Sequence, residues 1–152
     1  MHPEIVTDTQ GPIFFWNVDA AVGLHGANNF DDVMFVQWCF YKLSKWDRIP
    51  ADLRKVLAQT PVSGSCTGRD NDPLVTSIKA FQASELMTGM VDGRVSPAKG
   101  GGYYKYYGDK QAFLILRLNG VLRVLHPQQY PRIDLMPEFI WRIRDQVKAP
   151  FI

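Results

Sequence analysis

Apolar residues in this chain recur at spacings of three and four in short blocks, and proline or glycine cuts each block off. That pattern favours a bundle of short amphipathic helices joined by tight turns. Val33, Val36, Phe40 and Leu43 form the first stripe, with Asn29 as N-cap, Asp31 and Asp32 in the first turn and an end near Ser44. Pro50 opens a second helix over 51–59, with Leu53, Val56 and Leu57 inward, and Pro61 closes it. Asn71 or Asp72 caps a third, with Pro73 just inside and Leu74, Ile78 and Phe81 as its stripe. Asp109 is a cap for a fourth, whose broad apolar face runs from Phe113 to Leu125 before His126-Pro127 stops it. Met136-Pro137 opens a last helix, expected to reach Lys148. Residues 11–22 read as an extended arm with Phe14, Phe15 and Trp16 as anchors, and no strong run of alternating strand residues appears. The chain is expected to be mostly α.

A length of 152 residues suits one domain. The net charge of +2 hides a split. Residues 1–93 carry 7 Lys+Arg against 11 Asp+Glu, a net of −4; residues 94–152 carry 10 against 4, a net of +6. That balance does not describe a dedicated duplex-DNA binder, and no nucleic-acid partner is expected. The most apolar stretch is interrupted by Arg117, Asn119 and Arg123, so no transmembrane segment is expected. The first residues lack a basic start and an apolar core. The expectation is a chain made in the cytoplasm that either stays there or is exported to the periplasm or cell envelope by a dedicated secretion machine. Cys39 and Cys66 are too few for a disulfide scaffold or a four-ligand zinc site, and they are read either as two thiols or as one disulfide.

Val62-x-Gly64-x-x-Thr67 echoes Val91-x-Gly93-x-x-Ser96. Turn chemistry alone can select such residues, and a true internal repeat can too. The segment Val22-Gly-Leu-His-Gly-Ala-Asn-Asn-Phe-Asp-Asp-Val-Met-Phe-Val-Gln37, then Ile78-Lys-Ala-Phe-Gln82, then Val91-Asp-Gly-Arg-Val-Ser-Pro97 and Arg117-Leu-Asn119 occur in that order. Together they resemble the small three-helix peptidoglycan-binding-like domains, over residues 22–119. The resemblance implies a compact helical core with an extra helix inserted between the first helix and its loop. Residues 1–21 would be an N-terminal arm and residues 126–152 a C-terminal helical extension. The first loop has Ser63-Gly64 where the family has Asp-Gly, and a Gly-Gly-Gly-Tyr-Tyr-Lys-Tyr-Tyr insertion lengthens the second.

The resemblance implies a non-enzymatic module that recognises cell-wall material or tethers a partner at the envelope. Asp92 and Arg94 are then candidate ligand contacts, and Tyr103, Tyr104, Tyr106 and Tyr107 could stack on sugar faces. Asp92-Gly93 could equally be a plain turn. Gln37 and Gln82 read as braces for the loops rather than ligand contacts, and Trp38 and Tyr41 as residues that pack over the second helix or else form an exposed patch. Arg142, Arg144 and Lys148 form a basic face on the last helix, either solvated or docked to an acidic partner or anionic wall polymer. An adaptor, immunity or accessory factor of a secretion system that has lost glycan binding is the alternative function. A small wall hydrolase is a third. His25 and Asp32 stand seven apart, a spacing used for zinc ligands in wall peptidases, but no downstream Glu and His pair follows, so no metal or catalytic set is assigned. No phosphate loop or dinucleotide fingerprint occurs, so no cofactor is expected.

Overall fold

The fold, a computed structural model, is described for residues 1–8, 11–84, 91–99 and 113–151. It opens on an antiparallel hairpin, β1 (His2–Asp8) against β2 (Gly11–Asn17), with Ile5 opposite Phe14 and Pro3 opposite Trp16. Then come β3 (Val22–Gly23), α1 (Phe30–Ser44), α2 (Ala51–Leu57), α3 (Pro73–Ala83), β4 (Arg94–Val95), α4 (Leu114–Leu125) and α5 (Arg144–Lys148). Short 3-10 turns stand at Ile133–Leu135, Trp141–Ile143 and Ala149–Phe151. Among the described residues helices outweigh strands, as the apolar periodicity requires.

The N-terminal arm is the first correction: it is a hairpin. Its alternation is hidden because both faces of β2 are covered, which turns an in–out pattern into a continuous apolar run. Phe15 and Trp16 are both buried in the core, and the Trp16 ring meets Phe14 and Phe151. The Trp16 indole N–H donates to the Pro131 carbonyl at 2.9 Å. The free edge of β2 is closed by a side chain of α4. Asn119 Oδ1 accepts the Trp16 N–H at 2.7 Å, and its Nδ2 donates to the Trp16 carbonyl at 2.8 Å. One carboxamide thus stands in for a neighbouring strand. Asn17 does the same for the segment after β4, accepting from the Ala98 N–H at 3.0 Å and donating to its carbonyl at 2.9 Å.

The helices form where the stripes lie. α1 is buried along nearly its whole length, with Val33, Phe35, Val36 and Phe40 inaccessible. Asn29 stands at its N-cap position but makes no side-chain capping bond. Asp32 points inward and accepts the backbone N–H groups of Asp19 and Ala20 at 3.0 and 3.1 Å. The Met1 ammonium lies 2.6 Å from the same carboxylate. α3 begins as expected: Asp72 Oδ1 accepts the Leu74 N–H at 2.8 Å, with Pro73 at the first position.

The last helix is the second correction. It is not continuous from 137 to 148, because a 3-10 turn precedes a five-residue α5. The carbonyls that a helix would use at its start are taken by α1. Lys42 donates to Pro137 O at 3.3 Å, and Trp38 Nε1 donates to Glu138 O at 3.1 Å. Phe139 packs edge-on against Trp38 at 4.9 Å. Trp38 and Tyr41 are therefore packing residues, but against the C-terminal segment rather than α2. No described helix is long and apolar enough to cross a membrane. Cys39 and Cys66 are free thiols.

Candidate functional site

The two glycine loops that echo each other in sequence are held in the same way. From α1, Gln37 Oε1 accepts the N–H groups of Ser63 and Gly64, each at 2.8 Å, and its Nε2 donates to Ser65 O at 3.0 Å. From α3, Gln82 Oε1 accepts the Gly93 N–H at 2.9 Å, and its Nε2 donates to Arg94 O at 3.1 Å. Both glutamines are buried. A carboxamide suits this work because it offers an acceptor and two donors to one stretch of backbone. Gly64 and Gly93 both sit at positive φ, 78° and 73°, where a side chain is strained. A Cβ on Gly64 would also come within 2.3 Å of the Phe30 ring.

A third segment joins these loops. The 23–28 turn is closed by Asn28, which accepts from the Gly23 N–H at 2.7 Å and donates to the Gly23 carbonyl at 3.0 Å. From this turn, Leu24 N–H donates to Gly93 O and His25 N–H donates to Gly68 O, both at 2.9 Å. β3 and β4 pair directly, Val22 with Val95 and Gly23 with Arg94. Three loops from three parts of the chain thus form one clamped surface.

One face of this surface is open. A groove of about 340 Å³ lies between the 23–28 turn and the first glycine loop, lined by Asn28, Phe30, Gly64, Ser65, Cys66, Thr67 and Asp72. Phe30 is 46% exposed, so one part of its ring covers Gly64 and another faces solvent. Asp72 is buried at the groove floor. Burial opposes its charge, but the N–H groups of Thr67 and Leu74, each donating at 2.8 Å, outweigh that and hold its carboxyl below the usual range. The Cys66 thiol is pushed up, first by burial and also by the Asp72 carboxylate, which makes it a poor nucleophile. At the second glycine loop, among the described residues, the Lys79 and Leu24 side chains lie over Gly93.

The residues singled out from sequence fall in three places. Asp92 and Arg94 belong to the second loop. Asp92 Oδ1 accepts from the Arg94 N–H and from Gln82 Nε2, both at 2.9 Å, and Arg94 Nε donates to Leu24 O at 2.6 Å. Those bonds shape a turn and tie it to its neighbour. Tyr103, Tyr104, Tyr106 and Tyr107 lie outside the described residues, as does Asp109. Arg142 and Arg144 are exposed on the C-terminal segment and Lys148 is half-buried there. The Arg142 guanidinium lies 5.6 Å from the Trp141 ring centre, and Trp141 is 75% exposed. Phe30, Ser65 and Thr67 were not legible as site residues. An aromatic at the start of an apolar helix looks like core, whereas here one part of the ring rests on Gly64, which has no side chain to displace it, and the rest is exposed.

His25 and Asp32, the pair with a zinc-ligand spacing, are held in different surroundings. Asp32 is interior and bound to the 19–20 backbone, whereas His25 is on an exposed turn. Among the described residues no three His, Cys, Asp or Glu side chains gather as a metal site. No family model, curated protein or solved structure matches the chain.

Proposed function

We propose that this chain is a non-enzymatic binding module of the peptidoglycan-binding-like type, which recognises cell-wall material through the groove beside Phe30. The observation that supports the reading is the open polar groove with a half-exposed aromatic wall, set in loops clamped by Gln37, Gln82 and Asn28. Sugars and short peptides present alternating apolar and hydroxyl or amide surfaces. An aromatic face next to Asn, Ser and Thr groups answers both. Clamped loops also reduce the ordering cost of binding. The volume is at the small end for ligand sites, which suits one sugar or a short stem-peptide segment rather than a long polymer.

Retention on purified peptidoglycan sacculi tests this. The wild-type chain is expected to sediment with sacculi at physiological salt, and Phe30→Ala to remain in the supernatant while still folded. No retention of the wild type above a control protein would refute the wall reading. Clearing of a sacculus suspension by the purified protein would refute its non-enzymatic part.

Trp141 favours a second reading, a protein-interaction module. A largely exposed tryptophan with Arg142 laid over it has the composition of an interface anchor. On that reading Arg142, Arg144 and Lys148 meet an acidic partner, and Trp141→Ala rather than Phe30→Ala abolishes partner capture.

A further inference from the structure

We infer that Asn119–Gly120 is a site of spontaneous covalent modification that the fold holds shut: when α4 opens, Asn119 converts to aspartate and isoaspartate, and the converted chain folds back with lowered stability. The inference stands apart from what the groove beside Phe30 binds. Asn119–Gly120 is the only Asn-Gly pair in the sequence. Glycine has no side chain to shield its backbone nitrogen and rotates freely, so in an open chain this pair closes on itself more readily than other asparagine pairs. The Gly120 nitrogen attacks the Asn119 side-chain carbonyl carbon. The side-chain nitrogen leaves as ammonia, taking up the Gly120 amide proton, and a five-membered succinimide remains. Water then opens the ring at either carbonyl. One opening leaves aspartate, and the other leaves isoaspartate, with an extra methylene in the main chain. Water is the only co-reactant.

The folded chain blocks ring closure twice. Both residues lie inside α4, where the helix commits the Gly120 N–H to the preceding turn. The Asn119 carboxamide is also held at every position. Oδ1 accepts the Trp16 N–H at 2.7 Å and the Tyr130 hydroxyl at 2.8 Å, and Nδ2 donates to the carbonyls of Trp16 and Ile115, each at 2.8 Å. That uses both lone pairs and both N–H groups of the side chain. Asn119 is buried, so water to open a succinimide has no path to it either. Attack by the Gly120 nitrogen therefore requires that the helix open and the carboxamide let go of β2.

The same bonds make the conversion consequential. An aspartate carboxylate has no N–H to give, so it would set an anionic oxygen against the Trp16 and Ile115 carbonyls in a buried place. Isoaspartate lengthens the main chain in the middle of α4 and shifts the residues after it, the buried Leu122 among them, against the core. The residue that closes the edge of β2 is thus the one whose chemistry changes when that edge is left open.

The test incubates the full chain at mildly alkaline pH, once folded in buffer and once unfolded in urea. Converted chains gain a negative charge, so ion exchange separates them, and peptide mapping by mass spectrometry locates the site and its isoaspartate. The unfolded chain is expected to convert first at Asn119. The folded chain is expected to convert there at least about a hundredfold more slowly, because only the opened fraction reacts and that is about one chain in a thousand or fewer. Once the urea is removed, converted chains are expected to unfold at a lower urea midpoint than unconverted chains from the same sample. Gly120→Ala shields the attacking nitrogen with a methyl group and keeps the Asn119 carboxamide. Alanine suits a helix better than glycine, and position 120 borders an open groove beside Trp46 and Val124, so the variant is expected to fold. It is expected to hold its own midpoint through the same incubation in urea. Equal conversion of folded and unfolded wild type would overturn the inference, and so would an unchanged midpoint in the converted chains. Conversion at Asn119 as fast in unfolded Gly120→Ala as in unfolded wild type would also overturn it. If Gly120→Ala does not fold, the first two comparisons decide, because both are made on the wild type.

Discussion

Replacing Asn119 with alanine should destabilise the protein far more than an ordinary polar deletion. Asn119 is 1% exposed, and so is Trp16, whose backbone N–H and C=O it satisfies at 2.7 and 2.8 Å. The change leaves two buried backbone groups without partners and no route for water to reach them. Each orphaned group costs about 1–3 kcal/mol, so the pair costs about 2–6 kcal/mol. Tyr130 loses one bond but keeps its other, to Phe14 O at 3.0 Å, which adds little. For a chain of this length each kcal/mol lowers Tm by about 2–4 °C, so a drop near 10 °C is expected. Urea denaturation followed by tryptophan fluorescence measures the loss directly, with the exposed Asn71→Ala as control. Asn119→Asp sharpens the test. At neutral pH it sets a carboxylate against the Trp16 carbonyl, and protonation restores a donor, so that variant should gain relative stability as pH falls. A loss below about 1 kcal/mol for Asn119→Ala, inside the range of surface substitutions, would refute the view that this carboxamide closes the edge of β2.

Gln37→Ala and Gln82→Ala should each cost about 1–3 kcal/mol, because each orphans one buried glycine N–H, while the flanking groups, exposed at the first loop and half-buried at the second, turn to water. Amide hydrogen exchange at Gly64 and Gly93 should accelerate in the matching variant only. Gly64→Ala should cost about 1–2 kcal/mol from positive φ alone, and the displaced Phe30 ring should abolish sacculus retention as well. Stability should fall in acid through Asp134, whose carboxyl the Arg132 guanidinium holds below the usual range at 2.7 Å. A lowered folded value means the contribution is present above the unfolded value and lost as pH falls through the folded one; Asp134→Asn should flatten that limb of the urea midpoint against pH. His2 behaves in the opposite sense. Burial opposes its charge, but Asp19 and Glu4 outweigh that and raise its pKa, so its contribution is present below about pH 6.5 and lost as pH rises through the raised value. His2→Ala should remove that alkaline decline.

The start of α3 was legible because Asp72-Pro73 is a local signal whose energy depends on nothing distant. The paired glycine loops were legible in outline for a related reason. Gln37 and Gln82 each face a glycine turn, and a turn at positive φ narrows the residue choice strongly. What was hidden depends on long-range partners. β2 pairs with β1 on one side, and on the other Asn119, more than a hundred residues away, serves its edge. Residues 137–140 keep their helical periodicity in sequence, yet Trp38 and Lys42 bind the carbonyls a helix would need. Asp92 and Arg94 looked like ligand contacts because polar residues in a glycine loop are ambiguous. In the structure Asp92 Oδ1 accepts from Gln82 and Arg94 Nε donates to Leu24 O, bonds that shape the turn. Phe30 was read with the start of the first helix, and its exposure follows only from where Gly64 comes to rest against it.

Backbone amide shifts recorded while a soluble disaccharide-peptide wall fragment is titrated into the labelled protein test the central claim most directly. The account predicts saturable shifts concentrated at Asn28, Phe30 and residues 64–67. Absence of shifts at saturating fragment, or shifts confined to the Trp141 segment, would contradict it.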